Sequence, residues 1–384
     1  MNPPAALALS LVLLTVPVQP AANDTPLHQR AIVVDTHADT TQAIVYGGVD
    51  ITRAQPDLQV DLVKAAAGGL DAQFFSIFVL PMKFQRNDFY AEAMRQLDGL
   101  ARLAQANPGR LRLARTAADV RANAKAGVMS MLWGVEGGHA LWPGDEKAQL
   151  GHLRELASRG VRYMTLTWSN SNDIGGSSGD DGEIRGLTPF GRQVIAEMNR
   201  LGVIVDVSHV SDATFWDAVR LSDKPVLASH SSSRALANVP RNMTDAMLKA
   251  VAKNGGAVCV NFGSAFLDAA YGEREAGIWK KKRTGAQMDI WRQIRADAAQ
   301  ISPPVPLARL IDHIEHVAKV AGVDHTCLGS DFDGMPSTPV GMEDASKLPA
   351  ITAALLARGF SASDVEKILG ENVLRVMEAN EVRQ

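Results

Sequence analysis

Eight short apolar runs, each followed by a longer segment, constrain this chain more than any other feature. The runs are Ala31–Val34, Ala72–Leu80, Val128–Val135, Val161–Thr167, Val203–Val207, Pro225–Ala228, Ala257–Phe262 and Thr326–Gly329. Continuous apolar character is the pattern of strands buried on both faces. Between them lie amphipathic stretches with helix-start signals: Thr188-Pro189, Ser211, and Ser363 with Glu366 as a capping box. Strand–helix alternation implies right-handed crossovers and a parallel sheet. Eight repeats predict an α/β fold closed into a TIM-like (β/α)8 barrel. No GxGxxG follows the first run, which argues against a dinucleotide-binding open sheet.

The length of 384 residues admits either two domains or one barrel with insertions. Net charge is −3, so nothing points to nucleic acid or anionic lipid. Residues Ala5–Val18 form an apolar segment too short to span a membrane comfortably, with Ala21-Ala22 behind it. It reads as a signal peptide over 1–22, cleaved after Ala22. That leaves one domain over 23–384, exported across a membrane and without a stable membrane anchor. Cys259 and Cys327 are read as buried thiols, with a bridge between them left open. Segments 170–186, rich in Gly, Ser and Asp, and 264–302, helical with Trp279 and Trp291, are expected as loops around the mouth.

The chemistry lies where the runs end. His37 and Asp39 follow the first, Glu136 the third, His209 the fifth, His230 the sixth and Asp331 the eighth. A barrel gathers its strand ends on one face, where active sites form. Any one residue could be a hydrogen-bonded strand cap; six landing there independently is much harder to explain. Imidazoles and carboxylates are ligands for Zn²⁺ or a similar ion. Six candidates exceed what one tetrahedral ion needs and suit two ions about 3.5 Å apart sharing a carboxylate. His139 is a candidate for orienting this cluster, whereas His313 and His316 read as surface or packing residues.

The motifs Asp35-Thr36-His37-Ala38-Asp39, Gly134-Val135-Glu136-Gly137-Gly138-His139, Val207-Ser208-His209, Ser229-His230-Ser231-Ser232 and Ser330-Asp331-Phe332-Asp333-Gly334 resemble the membrane (renal) dipeptidase family of zinc peptidases. The resemblance runs from about residue 30 to the C-terminal helix and points to a bacterial member. It implies a barrel of the metal-dependent hydrolase type with two Zn²⁺ per chain. His37 and Asp39 would hold one ion, His209 and His230 the other, and Glu136 would bridge them. Asp331 would be the catalytic proton carrier and Arg241 would contact substrate. Mammalian members carry His after the fourth strand where this chain has Trp168, and a tyrosine-bearing stretch where it has Gly263-Ser264-Ala265-Phe266. Both differences fall on the substrate pocket.

These readings make the chain a metallo-dipeptidase, hydrolysing short peptides through a hydroxide bridging the metals and tolerating a D-residue on the C-terminal side. The expected compartment is the periplasm, the partner a dipeptide, and a homodimer is left open. The alternatives are hydrolysis of lactones, cyclic amides or phosphoesters on the same barrel, or metal-loaded binding without catalysis.

Overall fold

The computed structural model describes residues 24–382 apart from 181, 184 and 286. The export segment expected over 1–22 lies outside the described residues. Among the described residues nine strands form: β1 (Val34–Ala38), β2 (Ala72–Phe78), β3 (Leu111–Leu113), β4 (Met129–Glu136), β5 (Val161–Thr165), β6 (Ile204–Asp206), β7 (Leu227–Ala228), β8 (Ala257–Val260) and β9 (Thr326–Leu328). All named strand pairs are parallel, in the order β2-β1-β9-β8-β7-β6-β5-β4-β3, and β2 also pairs with β4. That last pairing closes an eight-stranded barrel, with β3 attached outside the ring. The (β/α)8 expectation is therefore met. The short Leu111–Leu113 strand, which pairs only with the first residues of β4, escaped the sequence reading.

Two expected boundaries shift for a physical reason. The first strand begins at Val34 rather than ending there, and carries Asp35 and His37 inside it. Asp35 can occupy that strand because its carboxylate is satisfied: it accepts from the Ser330 amide at 2.7 Å and from Ser330 Oγ at 2.6 Å. The last capping box uses Ser361 and Asp364, not Ser363 and Glu366, so that helix starts a half-turn earlier. Thr188 and Ser211 cap their helices as expected, accepting from Gly191 N at 2.9 Å and Thr214 N at 3.2 Å.

Inside the barrel, Val34, Phe74, Leu132, Tyr163, Ile204 and Leu227 pack together, and Leu374 and Met377 of the helix Asn372–Asn380 join them. Cys259 and Cys327 belong to this cluster. They are paired in register on β8 and β9, with Cα atoms 4.1 Å apart, and are bonded as a disulfide. The reading of two buried thiols is thus corrected. Which residues of neighbouring parallel strands come level is a property of register, which spacing along the chain does not reveal. Among the described residues no helix is long and apolar enough to cross a membrane.

Candidate metal centre

Glu136 ends β4 at the centre of the cluster, and its two oxygens face different partners. Oε1 lies 3.0 Å from His209 Nε2 and 3.7 Å from His230 Nε2. Oε2 lies 3.4 Å from His37 Nε2, which is itself 3.8 Å from Asp39 Oδ2. The His37 and His230 rings stack with centroids 3.7 Å apart. One carboxylate thus stands between two donor pairs, and all five sequence-predicted ligands converge.

Two of the three imidazoles are oriented from behind. His37 Nδ1 donates to Tyr163 Oη at 2.8 Å, and that hydroxyl donates onward to the Thr36 carbonyl at 3.0 Å. His230 Nδ1 donates to Ser229 Oγ at 2.7 Å, which in turn donates to Asp206 Oδ2 at 2.5 Å. Because each hydroxyl spends its one hydrogen elsewhere, it must accept from the ring. Both Nε2 atoms therefore present a lone pair to the cluster, as metal-ligating histidines do. Tyr163 reaches His37 by crossing over Gly134, where a Cβ would lie 2.0 Å from its ring. Ser76 Oγ donates to Glu136 Oε2 at 3.1 Å.

His209 and Asp331 adopt left-handed backbone, with φ of 67° and 60°. Non-glycine residues rarely do so, and such conformations persist where surrounding contacts impose them. Here Ser178 imposes one: its N and Oγ donate to the His209 carbonyl at 2.8 and 3.0 Å. At the other, Asp331 N donates to the His37 carbonyl at 3.1 Å and Asn261 Nδ2 to Asp331 Oδ2 at 2.8 Å.

The electrostatics call for positive charge at the centre. Burial opposes ionisation of Glu136, yet His37, His209 and His230 hold its carboxyl well below the usual range. Burial alone would lower His37, but Tyr163, Glu136 and Asp39 hold it well above its ordinary value. Burial, reinforced by Arg241, pushes His209 down to about 4 and holds His230 well below its ordinary value, the latter with His37 contributing as well. Those two are the neutral imidazoles a metal requires. Burial, countered by His37 and reinforced by Asp39 and Glu136, pushes Asp331 up to about 7. Yet a proton on His37 Nε2 would find no good acceptor, because that atom and Asp39 Oδ1 are buried without a hydrogen-bond partner. The ligand atoms of His37, Glu136 and His230, and those of His37, Asp39 and Asp331, fall into two groups, each within 4.8 Å. A Cβ at Gly334 would press to 2.2 Å from Asp39 Oδ2 and 2.4 Å from Asp331 Oδ1, so the space beside them is kept by a glycine. The donor set, its lone pairs and its unpartnered atoms fit divalent cations.

Around the cluster, Arg241 is half-buried. Its Nη1 donates to Ser231 Oγ at 2.8 Å, while Nε and Nη2 find no partner. Both oxygens of the neighbouring Asp333 are already engaged: its carboxylate accepts from Thr40 Oγ1 at 2.6 Å, Gln59 N at 2.7 Å and Arg295 Nη2 at 2.9 Å. His139 donates to the Val79 carbonyl at 2.8 Å and packs edge-on against Phe89, supporting the turn after β4 rather than touching the cluster. His313 packs as expected, bridging Ser233 N and the Leu267 carbonyl, and His316 pairs with Asp245 at the surface. Sequence reasoning assigned no role to Ser76, Tyr163, Asp206 or Asn261. Asp206 alone left a signal, as a carboxylate inside the apolar run Val203–Val207.

A family model, membrane dipeptidase (peptidase family M19), matches residues 21–384. The dipeptidase tcpJ of Claviceps purpurea is 35% identical over 327 residues, 83% of this chain and 68% of that protein. The dipeptidase verJ of Clonostachys rogersoniana is 34% identical over 331 residues, 84% and 76% of the two chains. Among solved structures, a metallo peptidase from Rhodobacter sphaeroides, liganded with a phosphinate mimic of L-Ala-D-Ala, is 27% identical. Its TM-score is 0.76, covering 91% of this chain and all of that one (100%). The probable dipeptidase PvdM of Pseudomonas aeruginosa superposes with a TM-score of 0.81 over 93% of this chain and 97% of its own; at 24% identity it speaks for the fold.

Proposed function

Since the chain belongs to the membrane dipeptidase family, and so is a hydrolase of peptide bonds, we propose that it is a binuclear zinc dipeptidase. The observation that carries this is Glu136, whose two oxygens face separate donor pairs. His37 and Asp39 would hold one ion and His209 with His230 the other, Glu136 giving one oxygen to each. Bound there, the ions would polarise the scissile carbonyl and acidify a water between them.

The chain's own groups do the rest. Asp331 Oδ2 is occupied by Asn261, which leaves Oδ1 to take the proton from the attacking water and return it to the departing amine. Ionised Asp331 is favoured once cations sit beside it, since they draw down the pKa that burial raises. Arg241 Nη2 and Nε, desolvated and unpartnered, suit a carboxylate fork, so the peptide's C-terminal carboxylate is anchored there. With the carbonyl at the cluster and the carboxylate at Arg241, the side chain between them is loosely confined, which allows a D-residue. The ligand of the Rhodobacter sphaeroides enzyme is of that stereochemistry.

Export to an oxidising compartment, the periplasm in a bacterium, is supported by the Cys259–Cys327 disulfide together with the apolar segment Ala5–Val18. Metal analysis of chelator-free protein should give close to two equivalents, and the loaded enzyme should hydrolyse both L-Ala-L-Ala and L-Ala-D-Ala. One equivalent unaffected by added Zn²⁺ overturns the binuclear reading. Refusal of the D-epimer by more than about 10³-fold, roughly 4 kcal/mol, overturns the stereochemical one.

A further inference from the structure

Above the cluster the mouth opens into a cavity of about 610 Å³. Volumes of this order hold drug-sized ligands, and Ala-Ala would leave most of it unfilled. The walls are apolar and come from separate parts of the chain. Phe78 ends β2, Trp168 follows β5, and the helices Ala269–Trp279 and Gln287–Ala298 supply Trp279 and Trp291 as a roof.

The ring order of the barrel tells which end of a peptide meets which wall. Passing round β1, β2, β4, β5, β6, β7, β8 and β9, β4 stands opposite β8. Arg241 and Phe266 lie in the segments after β7 and β8, with the guanidinium 5.7 Å from the Phe266 ring. Phe78 and Trp168 flank β4 on the far side, their rings 4.8 Å apart. A peptide held at its carboxylate by Arg241, with its carbonyl over Glu136, points its amine-side residue at those two rings.

Resting on the dipeptidase reading, we propose that the substrates of this chain are dipeptides with a large apolar side chain, above all an aromatic one, on the amine-side residue. That side chain lies against Phe78 and Trp168. The platform is rigid: Ser177 Oγ donates to the Trp168 carbonyl at 2.5 Å, and a Cβ at Gly137 would already sit 3.2 Å from Trp168 Cβ. Indole offers no base and no charge, so beyond one N–H donor Trp168 contributes surface and shape. Polar side chains entering this slot would lose water without gaining a partner, whereas aromatic ones gain ring contacts.

The test compares kcat/KM of the metal-loaded enzyme on Phe-Ala, Gly-Ala, Asp-Ala and Ala-Phe. Even one methylene in an apolar pocket is worth about 10-fold, so Phe-Ala should exceed Gly-Ala by at least about 30-fold, and Asp-Ala should be the poorest. Trp168→Ala should collapse the Phe-Ala to Gly-Ala ratio, mainly through KM, and Trp168→Phe should restore most of it. Calorimetry with uncleavable reduced-amide analogues reads the same preference without turnover; the Phe-Ala analogue should bind at least about 10-fold tighter than the Gly-Ala one. Equal rates on Phe-Ala and Gly-Ala, a preference for Ala-Phe, or a ratio unmoved in Trp168→Ala would overturn the proposal. Failure to hydrolyse any dipeptide would instead overturn the dipeptidase reading, and the calorimetry would then decide the apolar slot alone.

Discussion

The floor of the barrel mouth and its roof are built from opposite materials. On the floor, His37, His209 and His230 meet Asp39, Glu136 and Asp331. Behind them stand Tyr163, Ser229, Asp206, Ser76 and Asn261, each spending its hydrogen bonds on one orientation. On the roof, Ala276, Trp279, Ile290, Trp291 and Ile294 line the cavity, with Glu275 the one carboxyl among the described roof residues that do so. Groups that must be charged or aimed are set on strand ends, where the barrel fixes backbone positions. Groups that sort substrates by size are set on helices outside the ring, where they can vary without disturbing the cluster. Floor substitutions should therefore act on metal and turnover, and roof substitutions on selectivity and stability.

The largest effect should come from Glu136→Gln. The amide keeps the shape but cannot bridge two cations with charged oxygens, so metal content should fall clearly below two equivalents and dipeptide hydrolysis to background. Full metal occupancy in that variant would remove Glu136 from the centre. Asp331→Asn should come next, retaining metal while losing about 10²–10⁴-fold in kcat, the range for a removed general base. Near-normal turnover would move the proton transfer elsewhere. Asp333 is a poor heir, because three donors within 2.9 Å already occupy its carboxylate. Tyr163→Phe should weaken metal binding about 10–100-fold in chelator competition, the usual range for a group that orients a ligand. It removes the acceptor behind His37 and, with it, the donor to the buried Thr36 carbonyl.

That third variant marks where reading the sequence stops. His37, Asp39, Glu136, His209, His230 and Asp331 were legible because each ends an apolar run and a barrel brings strand ends together. Tyr163 lies inside an apolar run, where nothing separates it from a core aromatic, and its partner is 126 residues away. The disulfide was hidden likewise, since strand register alone sets Cys259 against Cys327. The roof was legible as helix but not as surface. Trp279 and Trp291 were expected as packing anchors; they do meet, at 6.0 Å, yet Trp279 stays 51% exposed while also lining the cavity. Pattern shows that a helix is amphipathic, not which cavity its apolar face adjoins.

The smallest effect concerns the roof's carboxyl. The floor's acids have histidines, and when loaded would have cations, to compensate them; Glu275 has Ser337 Oγ at 3.2 Å and Trp279. Burial pushes Glu275 up to about 7, these hydrogen bonds only partly opposing it. The sign follows. The folded chain keeps this proton at pH values where the unfolded chain has lost it, so the contribution to stability is full at low pH. It declines as pH rises from the ordinary carboxyl range through about 7, and is flat beyond. A rise of this size corresponds to at most about 3 kcal/mol, at roughly 1.4 kcal/mol per pKa unit. For a chain this long that is a few degrees in Tm. Asp71, pushed up to about 6 by burial, slopes the same way, so wild-type stability alone does not isolate Glu275. The difference between wild type and Glu275→Gln does. Melting curves from pH 5 to 9 should show the variant gaining on wild type by a few degrees as pH rises, with kcat on Gly-Ala little changed. Parallel curves would mean that Glu275 is compensated in the folded chain, and that the roof is less apolar than its lining residues imply.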